Sequence, residues 1–173
     1  MPNKLLKFEI FSTIMIMILG TILHFTFSFF HQNLFVALFS PVNESIWEHL
    51  KLLYFPSLIF IIIGSFLFLA KYPNYLQVKI KYLLLSLLFI ITFFYTYTGI
   101  IGYHLAILDI LSFYVAVFFE QYFSYHNCSL GTKKILEPLF ILFILTYSFA
   151  YYTFKPLPIP LFEDPLTNTY GLK

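Results

Sequence analysis

The sequence predicts an all-α integral membrane protein, a bundle of about five transmembrane helices with its N-terminus in and its C-terminus out. Three observations lead there. Hydrophobic residues fill 60% of the 173 positions and charged residues only 10%, against about 25% charged in soluble domains. Five apolar runs are each long enough to span the roughly 30 Å hydrocarbon core as a helix. The lysines are unevenly shared between the two sides that those runs define.

The first run covers about residues 8–30 and follows Lys4 and Lys7. It exceeds the roughly 7–15 residues of a signal-peptide apolar region, and no small-x-small cleavage pattern follows it, so it reads as a retained span. The second run starts within SPVNESIWEHLKLLYFPS, Ser40 to Ser57, and ends near Ala70. Ser40 before Pro41 reads as a capping hydroxyl ahead of a first-turn proline, which predicts a long helix from Pro41 through Pro56. The third, fourth and fifth runs cover about 82–102, 105–124 and 135–154. Lys71-Tyr72-Pro73-Asn74 reads as a polar turn. Gly99 and Gly102 loosen the join of the third and fourth spans. His126 to Thr132 reads as a loop through Gly131, with Thr132 placed to cap the fifth span.

Residues 1–155 thus form the bundle, and 156–173 a proline-rich arm. Pro156, Pro158 and Pro160 alternate, which favours an extended polyproline-like course. Asp164-Pro165 starts a turn. Leu157, Ile159, Leu161 and Phe162 call for a surface, so the arm is expected to lie across the outer face. Lys4, Lys7, Lys71, Lys79, Lys81, Lys133 and Lys134 fall on one side of the bundle, and Lys51, Lys155 and Lys173 on the other. The positive-inside rule makes the first side the inner one.

Composition also excludes. A net charge of +2 is too small to suggest a nucleic-acid partner. The single Cys128 rules out an intramolecular disulfide and a cysteine-based metal site. The lipid bilayer is the expected partner, and oligomeric state is not legible.

Most carboxylates and histidines collect at the outer half, with Glu9, Glu120, His126 and Glu137 towards the inner side. His24 lies late in the first span. Asn43, Glu44, Glu48 and His49 open the second. His104 and Asp109 flank the third join, and Glu163 and Asp164 lie on the arm. On a helix beginning at Pro41, Glu44 and Glu48 share a face, with Ser45 and His49 adjacent. Carboxylates and imidazoles together are the donor set of zinc or another divalent transition metal. Three histidines, His24, His49 and His104, are the candidate metal ligands. Glu44, Glu48 and Asp109 are the candidate acid–base groups. Asn43, Ser45, Trp47, Asp164 and Tyr170 are candidate binding residues.

The sharpest functional reading is metal-dependent hydrolysis of a lipid-like substrate. The same residues admit plainer readings. Glu48 and Lys51 fit an ion pair at headgroup level, Trp47 fits an interfacial belt, and His24 fits a packing residue. Tyr95 to Thr98 fit bonds between helices. Asp109, about a turn into an apolar helix, needs a partner, for which His104, His24 and His49 are candidates. Transport or lipid carriage, and an accessory role in which the arm docks a partner, stand as alternatives.

VNESIWEHLK (Val42 to Lys51) and DPLTNTYG (Asp164 to Gly171) together resemble a family of small prokaryotic multi-pass membrane proteins known as a domain of unknown function. The resemblance covers nearly the whole chain; it implies the fold and adds no reaction. SIWEHL (Ser45 to Leu50) is also similar to the Asn-Ile-Trp-Thr-His-Leu element of progestin and adiponectin receptor-type proteins. Those belong, with the alkaline ceramidases, to a superfamily of seven-span zinc-dependent hydrolases. That likeness implies metal-dependent hydrolysis. This chain departs from the pattern in having about five spans and no His-x-x-x-His.

Overall fold

A computed structural model describes residues 2–129 and 132–172. The predicted loop residue Gly131 and the predicted outer lysine Lys173 lie outside the described residues. Among the described residues six helices run α1 (Pro2–Phe29), α2 (Leu34–Ala37), α3 (Ile46–Phe68), α4 (Tyr75–Ile101), α5 (Ala106–Asn127) and α6 (Leu136–Phe154). All but the four-residue α2 are long and apolar enough to cross a membrane. The chain is therefore a multi-pass all-α membrane protein. Large apolar side chains such as Phe66, Ile100 and Leu136 stand exposed on the outer faces of these helices. Exposure of that kind is stable in lipid, not in water.

The spans alternate in direction. One end of the bundle carries the start of α1, the α3–α4 turn and the α5–α6 loop. The other carries α2, the start of α3, the α4–α5 join and the C-terminal arm. These are called below the N-terminal end and the arm end.

α3 is the central helix, packed on α1, α4, α5 and α6. Its inward residues Leu53, Tyr54 and Ile61 are fully buried beside Ile16 of α1, Leu83 of α4 and Val117 of α5. Pro56 lies inside α3 and has no N–H to give to the carbonyl of Leu52. That carbonyl faces α1 at Gly20, where an added Cβ would stand 2.6 Å from the Leu52 oxygen and 2.5 Å from the Phe113 ring. The glycine is what lets three helices close around the proline site.

Several sequence expectations on element boundaries are corrected. The second span starts at Ile46, not Pro41, because Ser45 in extended conformation caps it. Ser40 instead ties the incoming loop to α1. Its hydroxyl donates to the Leu23 carbonyl at 2.7 Å and accepts from Thr26 Oγ1 and the Phe27 N–H. The third span begins at Tyr75 rather than 82, since polar Gln77, Lys79 and Lys81 belong to a buried or lipid-edge helix turn. Thr132 caps nothing; α6 starts at Leu136 with no side-chain cap.

The arm is more ordered than a polyproline strand. After an irregular stretch it forms a 3₁₀ turn, Pro160–Phe162, then a two-residue antiparallel pair, β1 (Glu163–Asp164) and β2 (Thr169–Tyr170). Phe162 is buried against Trp47 and Tyr152.

Candidate functional site

At the arm end, α1, α3, α4, α5 and the arm enclose a cavity of about 310 Å³. Gly20, Leu52, Ile90, Phe94 and Phe113 supply apolar walls, while His24, Glu44, His49, His104 and Asp109 supply the polar groups. Tyr114 and Thr21, also on the wall, join α5 to α1 through their hydroxyls at 3.1 Å.

Three of the polar groups converge. His24, Glu44 and His49 each bring one ligand-type atom within 4.8 Å of the other two. His24 comes from late α1, His49 from the first turn of α3, and Glu44 from the bend just before the Ser45 cap. The cap thus matters for the site: it ends the helix one residue after Glu44 and lets that carboxylate fold back over His49. His49 Nδ1 donates to the Ser45 carbonyl at 3.0 Å, which leaves Nε2 with its lone pair facing the Glu44 carboxylate at 3.3 Å. Two acceptors in contact require a cation between them. A proton on Nε2 meets that need as an ion pair, and it is the His49 hydrogen bond that holds the Glu44 carboxyl below the usual carboxylate range, against its partial burial.

A divalent metal would meet the same need. Ligand atoms on a tetrahedral zinc lie roughly 3.3 Å apart, given bonds of about 2.0–2.1 Å, close to the Nε2–carboxylate separation. His24 Nδ1 is buried without a hydrogen-bond partner, so this ring has a nitrogen open to a ligand. The Ser45 carbonyl keeps a proton on His49 Nδ1, the kind of outer contact that would present Nε2 to a metal. Two imidazoles, a carboxylate and an adjoining cavity match the three-ligand, one-open-position pattern of catalytic zinc.

His104 and Asp109 form a neighbouring pair on the same cavity rather than part of the three-residue group. Asp109 Oδ2 lies 3.7 Å from His104 Nδ1, and its Oδ1 accepts a short hydrogen bond from the Tyr97 hydroxyl. Tyr97 also accepts from the Leu105 N–H at 3.2 Å, so it pins the α4–α5 join. Of the predicted partners His104 is the one beside Asp109, and the closer contact is Tyr97, read in sequence only as one of several interhelical hydroxyls. The signal available was its position, about three turns before the aspartate across a tight join.

The remaining predicted residues fall outside the cavity. Glu48 turns away from Glu44 into a second, fully buried network. One carboxylate oxygen accepts from Lys51 Nζ at 2.7 Å and from the Val42 N–H, and the other from Thr153 of α6. The expectation of a surface ion pair is corrected, because Lys51 is 0% exposed and also donates to the carbonyls of Ala37 and Ser40. Glu44 and Glu48 share no face, since only Glu48 is on the helix. Ser45 caps the Glu48 N–H with its hydroxyl. Asn43 donates to the Gly171 carbonyl at 3.0 Å and so clasps the arm.

Trp47 is wedged between Phe149, Tyr152 and Phe162, not placed as a free belt residue. Asp164 is buried and accepts from the Leu166 N–H and the Thr167 hydroxyl, a turn-forming role. Tyr170 is exposed and donates to Glu163. The arm still reaches the cavity, through Pro165 and Leu166 on its wall.

Against known proteins, one family profile, described as a family of unknown function (DUF6512), matches residues 1–172. The chain belongs to DUF6512. Membership agrees with the resemblance carried by VNESIWEHLK and DPLTNTYG, and both segments now have places: the first builds the α3 cap, the cavity edge and the buried Glu48–Lys51 pair, the second the arm hairpin. No curated protein and no solved structure matches the chain. DUF6512 membership therefore adds no reaction, and it lends no weight to the likeness with progestin and adiponectin receptor-type proteins.

Proposed function

We propose that this DUF6512 chain is a metal-dependent membrane hydrolase acting on a lipid-like amide or ester. The observation that carries the reading is the convergence of His24, Glu44 and His49 within 4.8 Å on the wall of an otherwise apolar cavity. When bound there, a divalent metal such as zinc supplies Lewis acidity and lowers the pKa of a coordinated water.

The chain's own residues do the rest. His24, His49 and Glu44 would hold the ion, and the Ser45 carbonyl keeps the His49 proton on Nδ1 so that Nε2 would face it. Asp109 on the same cavity is the proton acceptor. Its Oδ1 is held by Tyr97, which leaves Oδ2, beside His104, to take the proton. Leu52, Ile90, Phe94 and Phe113 bury an acyl chain and keep water from it. Pro165 and Leu166 bound the cavity on the arm side. The apolar wall and the membrane setting together favour an amphiphile over a water-soluble substrate.

Elemental analysis of purified wild type beside His49→Ala tests this first. About one transition metal per chain, lost in the variant, is expected. Hydrolysis of fluorogenic lipid amides or esters should then fall by a factor of about 10² or more in Asp109→Asn, with metal content kept. No metal in either protein after loading with zinc and with iron overturns the reading.

Carriage is the second reading. It is favoured by buried ionisable groups at both ends of the bundle, Glu48–Lys51 at one and Glu9–Lys79 at the other. Substrate uptake into proteoliposomes under an imposed pH gradient, with no hydrolysis product, would select it.

A further inference from the structure

At the N-terminal end lies a polar cluster that the site above does not use. Lys79 of α4 is fully buried and spends its three N–H groups on three acceptors. These are Glu9 of α1 at 2.6 Å, Gln121 of α5 at 2.5 Å and the Ser124 hydroxyl at 3.1 Å. An ammonium has three donors and no more. Glu120 of α5, 0% exposed, therefore receives nothing directly from Lys79. Its two oxygens accept from Ser57 of α3 at 2.7 Å and from the Gln121 amide at 3.1 Å, both neutral donors. The Gln121 amide is fixed in sense, since its oxygen must face the ammonium and its nitrogen the carboxylate.

One ammonium and two carboxylates are buried together among apolar helices. With both carboxylates ionised, the cluster holds a net negative charge that no described side chain compensates, and burying an uncompensated ion is strongly unfavourable. Two further buried groups of the cluster stand next to each other. Glu9 Oε1 and the Tyr75 hydroxyl are both buried and without hydrogen-bond partners. Tyr75 is held there by a close approach: its hydroxyl occupies the space over Gly64, where an added Cβ would stand 1.9 Å away.

We propose that this cluster is a proton-binding site, which takes up one proton per chain on its Glu9–Glu120 carboxylate pair and exchanges it with the aqueous phase at the N-terminal end. The proton makes the cluster neutral and turns one carboxylate oxygen into a donor. Glu9 and Lys79 lie within about two turns of the starts of α1 and α4, and Glu120 within about two turns of the end of α5, so the route is short. The groups facing the pair are Ser57 from α3, Tyr75 and Lys79 from α4, Gln121 and Ser124 from α5, and the Cys128 thiol just beyond it. Glu137 of α6, at the same end, is exposed and paired with Lys134. The inference stands apart from the metal reading, since it shares no residue with His24, Glu44 or His49.

Infrared difference spectroscopy on the full chain in lipid, across a pH titration, tests it. Wild type should show a protonated-carboxyl carbonyl band that moves on ¹³C-glutamate labelling and disappears as the pH rises. Glu120→Gln or Glu9→Gln should abolish it, Asp109→Asn should leave it, and Lys79→Met should add a second such band. A wild-type spectrum with no glutamic-acid band at any pH where the protein stays folded overturns the proposal without any variant. So does a band unchanged in both Glu120→Gln and Glu9→Gln.

Discussion

Lys51 illustrates how a single residue changes meaning with its surroundings. In sequence it is one of ten lysines beside a glutamate three positions earlier, a pairing worth a few tenths of a kcal/mol on an exposed helix. In the fold it is sealed from solvent, its three N–H groups turned to Glu48, Thr153 and the Ala37 carbonyl, with the Ser40 carbonyl farther off at 3.4 Å. Truncating one partner of a buried pair leaves an unpaired charge, at a cost of about 3–5 kcal/mol. Lys51→Met and Glu48→Leu should each destabilise by that order. The double variant should recover most of the loss, in a double-mutant cycle read by chemical unfolding in detergent. Additive single effects would show the two residues to be uncoupled. Cys128 makes the second residue-scale case. Burial, then the nearby Glu9 carboxylate, push its thiol up to about 12, with Lys79 pulling the other way. The thiolate is the reactive form, so alkylation by iodoacetamide should be slow at neutral pH and still rising beyond pH 9, the ordinary thiol value. The folded state prefers the neutral thiol, so this contribution is complete below about pH 9 and is lost as the pH climbs towards 12. A plateau in alkylation rate near pH 9 would contradict this environment.

At the scale of elements, the arm is a docked structure and not a tail. Phe162 stacks on Trp47 and Tyr152, Asn43 holds Gly171, and Gly171 itself packs under Pro156. Because Trp47 is the only tryptophan, its emission reports this docking. Phe162→Ala should move the emission to the red by opening Trp47 to water, and removal of residues 156–173 should move it further. Unchanged emission in both would mean that the arm is not seated on α3. The beginning of α3 shows how one cap positions two functions. Ser45 stops the helix short of Glu44, so Glu44 turns to His49 while Glu48, on the helix, turns to Lys51. A helix begun at Pro41, as the serine–proline signal suggested, would have set both glutamates on one face and dissolved the distinction. The signal misled because Ser40 has a stronger use: its hydroxyl serves three groups of α1.

For the whole molecule, the two ends differ in chemistry. The arm end holds the cavity with its imidazoles and carboxylates, and the N-terminal end holds the Lys79 cluster. Which end faces the cytoplasm is set in the lysine argument by seven against three residues. Burial alters that count without reversing it, since Lys51 and Lys79 are both sealed and paired, one from each side. Orientation can be read with single cysteines at exposed Ser129 and Thr167 in a Cys128→Ser background. The positive-inside rule predicts that an impermeant maleimide labels Thr167→Cys in intact cells and Ser129→Cys only after permeabilisation. The reverse pattern would put the cavity on the cytoplasmic side and redirect the search for its substrate.

The sequence by itself determined the fold class, the number of spans and the end of the bundle where the cavity chemistry collects. These follow from runs of apolar residues and from the cost of placing charge in lipid, both local properties of the chain. His24, Glu44, His49, His104 and Asp109 could be singled out for the same reason. Only the tertiary structure decided which of them meet. His24 and His49 are 25 positions apart and on different helices, yet their rings lie 5.2 Å from centre to centre. Glu48, adjacent to His49 in sequence, ends in another network altogether. Neighbourhood along a helix is set by a rotation of about 100° per residue, whereas neighbourhood between helices is set by packing. The Lys79 cluster is the clearest instance. Its members come from α1, α3, α4 and α5, and each alone reads as an end-of-helix charge or a small polar residue. Packing brings them together, and only then does the imbalance of one ammonium against two carboxylates exist.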